Sequence, residues 1–319
     1  MKIYAIAILL LSLSIFSCSH DDGGGQDPNA ALRAEAQNDR DSLANVGSGF
    51  SALDTKMQAN VSTFFGGNDG PTFQRFLDER IHFFMSQDEY ANLLDNTFGG
   101  KFGSSKSKDS SDQAMKSANA VVGAANVGTI LWLYSSLEGN KTLDFSFRGQ
   151  NVTMNSPHVG LMLIGEAYDE FYKDQNGNKH KVPAASRQAI LIHEARHSDC
   201  PTGLSPKDLD YIRSITSLDD LGKNPDTKTC GNLHSNCPAD HEFPNLPACD
   251  KMAWGAYAAG SMFAALASKG EDTTEVGRYL LEMTAADQLS RLLFDTDDMF
   301  DGKMGPPNLT SQGLVDSTQ

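Results

Sequence analysis

Two histidines and a glutamate stand close together in the second half of the chain, in the order H-E-x-x-H. They are His193, Glu194 and His197. In a helix, positions i and i+4 share one face, so both imidazoles would project together. Two such imidazoles can hold one Zn²⁺ at about 2.0–2.1 Å each. Glu194 would stand beside the open side of the ion, where it could accept a proton from bound water. The motif therefore predicts a zinc hydrolase with Glu194 as general base.

The residues before the motif predict the helix that would carry it. Pro183 suits a first helical turn, and Ala185, Ala189, Ile190 and Ile192 would form a buried stripe. On this helix the chain resembles the zincin metallopeptidases, whose active-site helix carries the same pentad. The resemblance covers only about 15 residues and identifies no family within the clan. It implies a zinc-dependent peptidase acting on a peptide or protein.

The first residues predict export. Residues 1–17 combine Lys2 with a short apolar stretch, which is typical of a signal peptide. The segment ending at Cys18 resembles a bacterial lipobox, which implies that Cys18 is lipidated and tethers the chain to a membrane, with outer-membrane sorting implied by Ser19. An ordinary secretory signal is the alternative. Residues 18–29 are rich in Gly and Asp and predict a flexible tether, and residues 301–319 predict a flexible tail.

The net charge of −15 argues against nucleic acid as a partner, because phosphates would be repelled. The net charge does not indicate an oligomeric state.

The cysteines also fit an oxidising compartment. Apart from Cys18 there are four, and an even number in an exported protein indicates two disulfides. The pairing that we favour is Cys200 with Cys249 and Cys230 with Cys237. A cysteine-rich zinc site is the rival interpretation, although none of the spacings is C-x-x-C.

A catalytic zinc site needs a third protein ligand. The metzincin extension of the motif is excluded, since it would need Gly at Cys200 and His at Gly203. The gluzincin arrangement needs a glutamate on a later helix, and the later glutamates lack its surrounding pattern. The candidates that remain are His234, His241 and Asp250.

Among these candidates we favour Asp250. A Cys200–Cys249 disulfide would draw Asp250 towards the end of the motif helix, because bridged Cα atoms lie within about 7 Å. Asp250, followed by Tyr257, also loosely resembles the aspzincins, which use an Asp ligand and a nearby Tyr. The alternative role for Asp250 is a helix N-cap, and His241 is a close second as ligand. Tyr257 could donate a hydrogen bond to a developing oxyanion.

The surrounding elements predict an α+β fold, zincin-like and mostly helical, with a small sheet before the motif helix. Helical spacing predicts helices within 30–65 and 72–98, which together make an N-terminal helical part of about 30–115. The same spacing predicts two later helices, at 251–267 and 271–294. Alternation over 142–154 predicts a hairpin, and a second hairpin turn lies at 174–178. These elements together predict a single domain over residues 30–300. The principal alternative function is a non-catalytic surface lipoprotein that binds or supports a partner; a cell-wall peptide amidase is a further one.

Overall fold

The computed structural model describes residues 30–85, 89, 142–155, 160–164, 168, 171–173, 179–197, 234–245, 247–250, 254–270 and 274–293. The predicted signal peptide, tether and C-terminal tail lie outside the described residues, as do Cys18, Cys200 and Cys230.

Three helices and two short 3₁₀ turns form the N-terminal part. Asp54 and Asp69 begin the second and third helices by accepting hydrogen bonds from the backbone N–H groups of Met57 and Thr72, at 2.8 and 2.9 Å. Gly66 ends the second helix in the left-handed conformation, φ 73°. The helices are α1 (Ala30–Asp41), α2 (Thr55–Phe65) and α3 (Gly70–Asp78), and the 3₁₀ turns are Leu43–Asn45 and Phe50–Ala52. Helices predicted within 30–65 are thus confirmed.

The strands in the described residues form four separate pairs. One pair is parallel and three are antiparallel. The pairs are β1 (Ile81–Met85) with β4 (Gly160–Leu163), β2 (Thr142–Phe147) with β3 (Gln150–Asn155), β5 (Phe171–Lys173) with β6 (Lys179–Lys181), and β7 (Ser235–Asn236) with β8 (Pro247–Cys249). The mostly helical character of the prediction is confirmed. Within the described ranges the strands do not join into the one small sheet that the sequence predicted.

Three predictions for this part of the chain can be compared with the structure. The antiparallel pairing of β5 with β6 agrees with the second predicted hairpin, whose turn residues 174–178 lie outside the described residues. The hairpin over 142–154 is confirmed, and its turn residues Arg148 and Gly149 both have positive φ, 51° and 73°. The prediction of helix through 72–98 is wrong at Ile81–Met85, which is strand β1. Its partner β4 lies far along the chain, so local periodicity gave no sign of this pairing.

Three helices complete the core, namely α4 (Ala184–His197), α5 (Ala256–Ser268) and α6 (Glu275–Ser290). Helix α5 packs against both of the others and is buried over nearly its whole length. A Cβ at Gly260 would meet the end of the Gln288 side chain, so glycine leaves room for that side chain between α5 and α6. None of the helices in the described part of the chain has the length and apolar character needed to cross a bilayer.

Helix α4, which carries the motif, is enclosed on more than one side. Of the predicted buried stripe, Ala189 and Ile192 are fully buried, whereas Ala185 and Ile190 are only partly buried, and Leu191 beside them is fully buried as well. Ser186, Arg187 and Gln188 are also buried, and Arg187 forms a two-pronged ion pair with Asp39 of α1, at 2.6 and 3.0 Å. The hydroxyl of Tyr168 and the side chain of Gln188 donate to the same aspartate, to its carboxylate and its backbone carbonyl respectively. This satisfied polar cluster fixes the start of α4 against α1.

Aromatic rings fill the space beneath the motif helix. Phe64 stacks on Trp254 with ring centroids 5.9 Å apart, and Phe65 meets Phe73 and Phe76 edge to face. Phe64 and Phe73 are fully buried. Such offset and edge-to-face pairs add to the stabilisation from burial. The cluster meets α4 where the guanidinium of Arg196 lies over the ring of Phe64.

Candidate metal centre

His193 lies in the C-terminal half of α4 and is 7% exposed. Its Nε2 atom is 3.2 Å from Nε2 of His234, the residue just before β7. Glu194, beside it on the helix, is half-buried. His197 ends α4, and its side chain lies outside the described part of the structure. The structure therefore brings together His193 and one of the three sequence candidates for a further ligand.

The second ring nitrogen of His234 faces a buried carboxylate. His234 Nδ1 lies 2.7 Å from Oδ1 of Asp250, which is 2% exposed. The other oxygen, Oδ2, accepts from the backbone N–H of Tyr257 at 3.1 Å. An ionised carboxylate can only accept, so the proton of the neutral His234 ring belongs on Nδ1. The lone pair of Nε2 then points towards His193.

This pattern is the one that metal-binding imidazoles use. Such a ring donates its other N–H to a carboxylate, which fixes its tautomer and orientation. Two nitrogens at about 2.05 Å from a tetrahedral Zn²⁺ would be about 3.3 Å apart, close to the spacing between His193 and His234. The spacing of these two nitrogens is therefore compatible with a shared zinc ion. A direct hydrogen bond between the two rings fits the same distance, with one Nε2 as donor.

Asp250 lies behind His234 rather than beside His193. Both of its oxygens accept hydrogen bonds from protein groups, so these contacts favour a supporting role for Asp250 and a ligand role for His234. Asp250 is not the N-cap residue, because α5 begins only at Ala256 with Gly255 at its N-cap, but its carboxylate does accept from the backbone N–H of Tyr257 in the first turn of α5.

The disulfide pairing predicted from the sequence is wrong. Cys237 and Cys249 are bonded to each other, with their sulfurs 1.98 Å and their Cα atoms 5.1 Å apart, which excludes both Cys200–Cys249 and Cys230–Cys237. The β7–β8 hairpin brings them together, and strands of two and three residues carry no periodicity that a sequence pattern could show. The argument that placed Asp250 through Cys200 therefore fails, although Asp250 reaches the site through the hairpin.

One sequence signal could have found His234. His234 stands just before Cys237, and Asp250 stands just after Cys249. A disulfide between those cysteines implies a hairpin, and a hairpin places the residues that flank it opposite each other. The signal depends on knowing that pairing, which spacing alone does not give, because Cys230 is closer to Cys237 in sequence than Cys249 is.

His241 belongs to a different cluster. Its Nδ1 accepts from the backbone N–H of Phe243 at 3.1 Å, so its Nε2 carries the proton and donates to the carbonyl of Ser290 at 3.0 Å. Ligand atoms of Cys237, His241 and Cys249 lie within 4.8 Å of one another, which is metal-binding spacing. Because the two sulfurs are joined, neither offers a thiolate, and the cluster is a disulfide beside a hydrogen-bonded imidazole.

Tyr257 forms the wall behind both imidazoles. Its ring stacks on His234 with centroids 4.3 Å apart and meets His193 edge to face at 4.6 Å. Burial raises the pKa of Tyr257, Arg291 opposes that change, and the carboxylates of Asp250 and Glu194 add to it. The phenol therefore stays neutral. Its oxygen accepts from Arg291 Nη1 at 3.3 Å, which leaves its own proton to donate.

Arg196 links the motif helix to the start of α5. It is 3% exposed and donates from Nε to the backbone carbonyl of Trp254 at 2.9 Å, with its guanidinium over the ring of Phe64. Trp254 has a left-handed backbone, φ 64°, which is uncommon for a large residue. Arg196 thereby fixes the turn that presents Tyr257 to Asp250.

The chain matches no family model, no curated protein and no solved structure. The chemistry of the site therefore rests on its own residues.

Proposed function

We propose that the chain is a zinc-dependent hydrolase, and more specifically a metallopeptidase, in which His193, His197 and His234 bind the zinc ion. The observation that carries the proposal is the meeting of the two Nε2 atoms of His193 and His234 at 3.2 Å, with the far side of His234 held by Asp250. When bound, Zn²⁺ would polarise a carbonyl and lower the pKa of water towards neutrality.

The residues around this site divide the remaining work. Glu194 is half-buried beside His193, and its carboxylate takes the proton of the attacking water and returns it to the leaving amine. Asp250 keeps His234 in the tautomer whose Nε2 can bind metal. Tyr257, a neutral phenol whose oxygen accepts from Arg291, closes one side of the site by stacking on His234.

Substrate, location and fold family complete the proposal. The substrate is a peptide or protein, by the resemblance of the H-E-x-x-H helix to zincins. The lipobox-like segment supports attachment of the exported chain to a membrane through Cys18, in the outer membrane of a Gram-negative bacterium. A zincin-like fold is proposed on the same motif.

A second candidate function also has an observation in its favour. The spacing of 3.2 Å between His193 and His234 equally suits a direct hydrogen bond. In that case the histidines, Asp250 and Tyr257 would form a polar core cluster, and the protein would be a surface lipoprotein that binds or supports a partner. A cell-wall peptide amidase would share the zinc chemistry and differ only in substrate.

Glu194→Gln tests the enzymatic proposal. Zinc-loaded protein is incubated with a peptide library, and cleavage is read by mass spectrometry. The variant should keep its zinc and lose about 10²–10⁴-fold in rate, because an amide cannot accept the proton. Glu282→Gln is the matched control, since Glu282 is exposed and pairs with Lys269 at 3.0 Å. Full cleavage by the Glu194 variant would refute the mechanism, and zinc-loaded wild type that cleaves nothing would favour the binding module.

A further inference from the structure

We infer that the Cys237–Cys249 disulfide is the positioning device for His234, so that the histidine pair assembles only in a chain whose cysteines have been oxidised. The inference rests on the proposed function for its consequence, metal binding, but its structural content concerns the ring of His234 alone. It follows from how differently the two ends of the β7–β8 hairpin are held.

The Asp250 end of the hairpin is held without help from the disulfide. The backbone N–H of Asp250 donates to the carbonyl of Arg291 at 2.9 Å, and the N–H of Leu293 donates to the carbonyl of Asp250 at 2.9 Å. The carboxylate of Asp250 also accepts from the backbone of Tyr257 at 3.1 Å. Three hydrogen bonds to two other segments thus fix Asp250, and they would remain after loss of the sulfur bridge.

Among the described residues, which begin in this segment at His234 itself, the backbone supports the His234 end less. Strand β7 consists of Ser235 and Asn236, and its pairing with β8 is interrupted by a register shift between them. A hairpin of this size is at best marginally stable by itself. Beyond the strand, Cys237 is held by its bond to Cys249 and by its carbonyl, which accepts from Asn245 N at 3.1 Å. The covalent bond is therefore the strong link between the segment that carries His234 and the fixed strand β8.

The tip of the hairpin, which includes His241 and Phe243, contacts the C-terminal end of α6 directly. His241 Nε2 donates to the carbonyl of Ser290 at 3.0 Å, and the guanidinium of Arg291 lies 4.1 Å from the ring centre of Phe243. These contacts hold the tip on the body of the protein in the absence of the bridge. Loss of the disulfide should then act mainly on the approach of His234 to His193 and Asp250, and much less on the fold.

The fully folded chain with Cys237→Ala and Cys249→Ala is the main test, because alanine removes the bond and offers no sulfur to a metal. Wild-type protein produced and kept under reducing conditions is the second preparation, needed should the double variant fold poorly; only its His234 Nδ1–H signal is used, because its free thiols beside His241 could themselves bind zinc. Circular dichroism and thermal unfolding establish that each preparation is folded. Phe73→Leu is the control, since it weakens the core at α3 and leaves the hairpin unchanged.

Two signals are then measured. The first is the Nδ1–H resonance of His234 in metal-free protein, which should be protected from exchange in oxidised wild type and exchange rapidly in the double variant. The second is zinc affinity, which should fall about 10–100-fold, the usual loss when support for a ligand is removed. Phe73→Leu should change neither. The first signal needs no zinc, so it tests the inference even for a protein that binds none. A protected Nδ1–H in the folded double variant would overturn the inference.

Discussion

Replacement of Asp250 by asparagine probes the link between the buried carboxylate and the metal centre. Asp250 accepts two hydrogen bonds, from His234 Nδ1 at 2.7 Å and from the backbone N–H of Tyr257 at 3.1 Å. An amide has one accepting oxygen and one donating nitrogen, so Asn can satisfy only one of these donors and must turn an N–H towards the other. The ring of His234 then loses either its orientation or its charge-assisted partner.

The size of the effect separates two roles for Asp250. If Asp250 supports His234, replacing Asp250 should weaken zinc binding about 10–100-fold, or about 1.4–2.7 kcal/mol. If Asp250 is instead a direct ligand, the role that the sequence favoured, its replacement should remove one of the bonds to the ion and weaken zinc binding far more. Competition with a chromogenic chelator at fixed pH measures the affinity.

A control variant removes a comparable carboxylate elsewhere. Asp39 is 4% exposed and also bonded through both oxygens, to Arg187 and Tyr168. Asp39→Asn should lower stability and leave the zinc affinity of the folded protein unchanged. Unchanged affinity in Asp250→Asn would refute the supporting role, and so would an equal loss in the Asp39 variant.

Three further predictions concern the stability of the site's framework. Leu191→Ala should lower the free energy of unfolding by about 2–5 kcal/mol in urea denaturation, because Leu191 is fully buried; a loss below about 1 kcal/mol would contradict the packing of α4. Arg196→Gln should cost about 1.5–3 kcal/mol in the same assay, because it removes the buried charged donor of the Trp254 carbonyl. Burial raises the folded-state pKa of Tyr257, so its stabilisation is complete below the unfolded value of about 10 and is lost as pH rises through the folded value. Stability measured from pH 9 to pH 11 should therefore fall less in Tyr257→Phe than in wild type, and equal slopes would contradict the burial.

The motif helix and the long hairpin were predictable because each rests on a local pattern. Pro183 and the apolar residues before His193 marked a helix, which the structure gives as Ala184–His197. Alternation around Arg148 and Gly149 marked a hairpin, since residues that accept positive φ suit a tight turn. In both cases neighbours in sequence supply most of the information.

The other half of the candidate site was not predictable in the same way. His234 meets His193 through a hairpin whose strands are too short to show alternation, and the four cysteines allowed three pairings. The position of Asp250 depends on backbone hydrogen bonds to Arg291 and Leu293, which are contacts between distant segments. Only the fold brings these groups together.

The measurement that tests the central claim most directly is the zinc content of purified, folded protein and of three histidine variants, by native mass spectrometry. The wild type should carry one zinc ion per chain at this site. His193→Ala and His234→Ala should lose it, and His241→Ala should keep it, because both ring nitrogens of His241 already have protein partners. A wild type that takes no zinc at saturating concentration, or a His234→Ala variant that keeps full occupancy, would contradict the account.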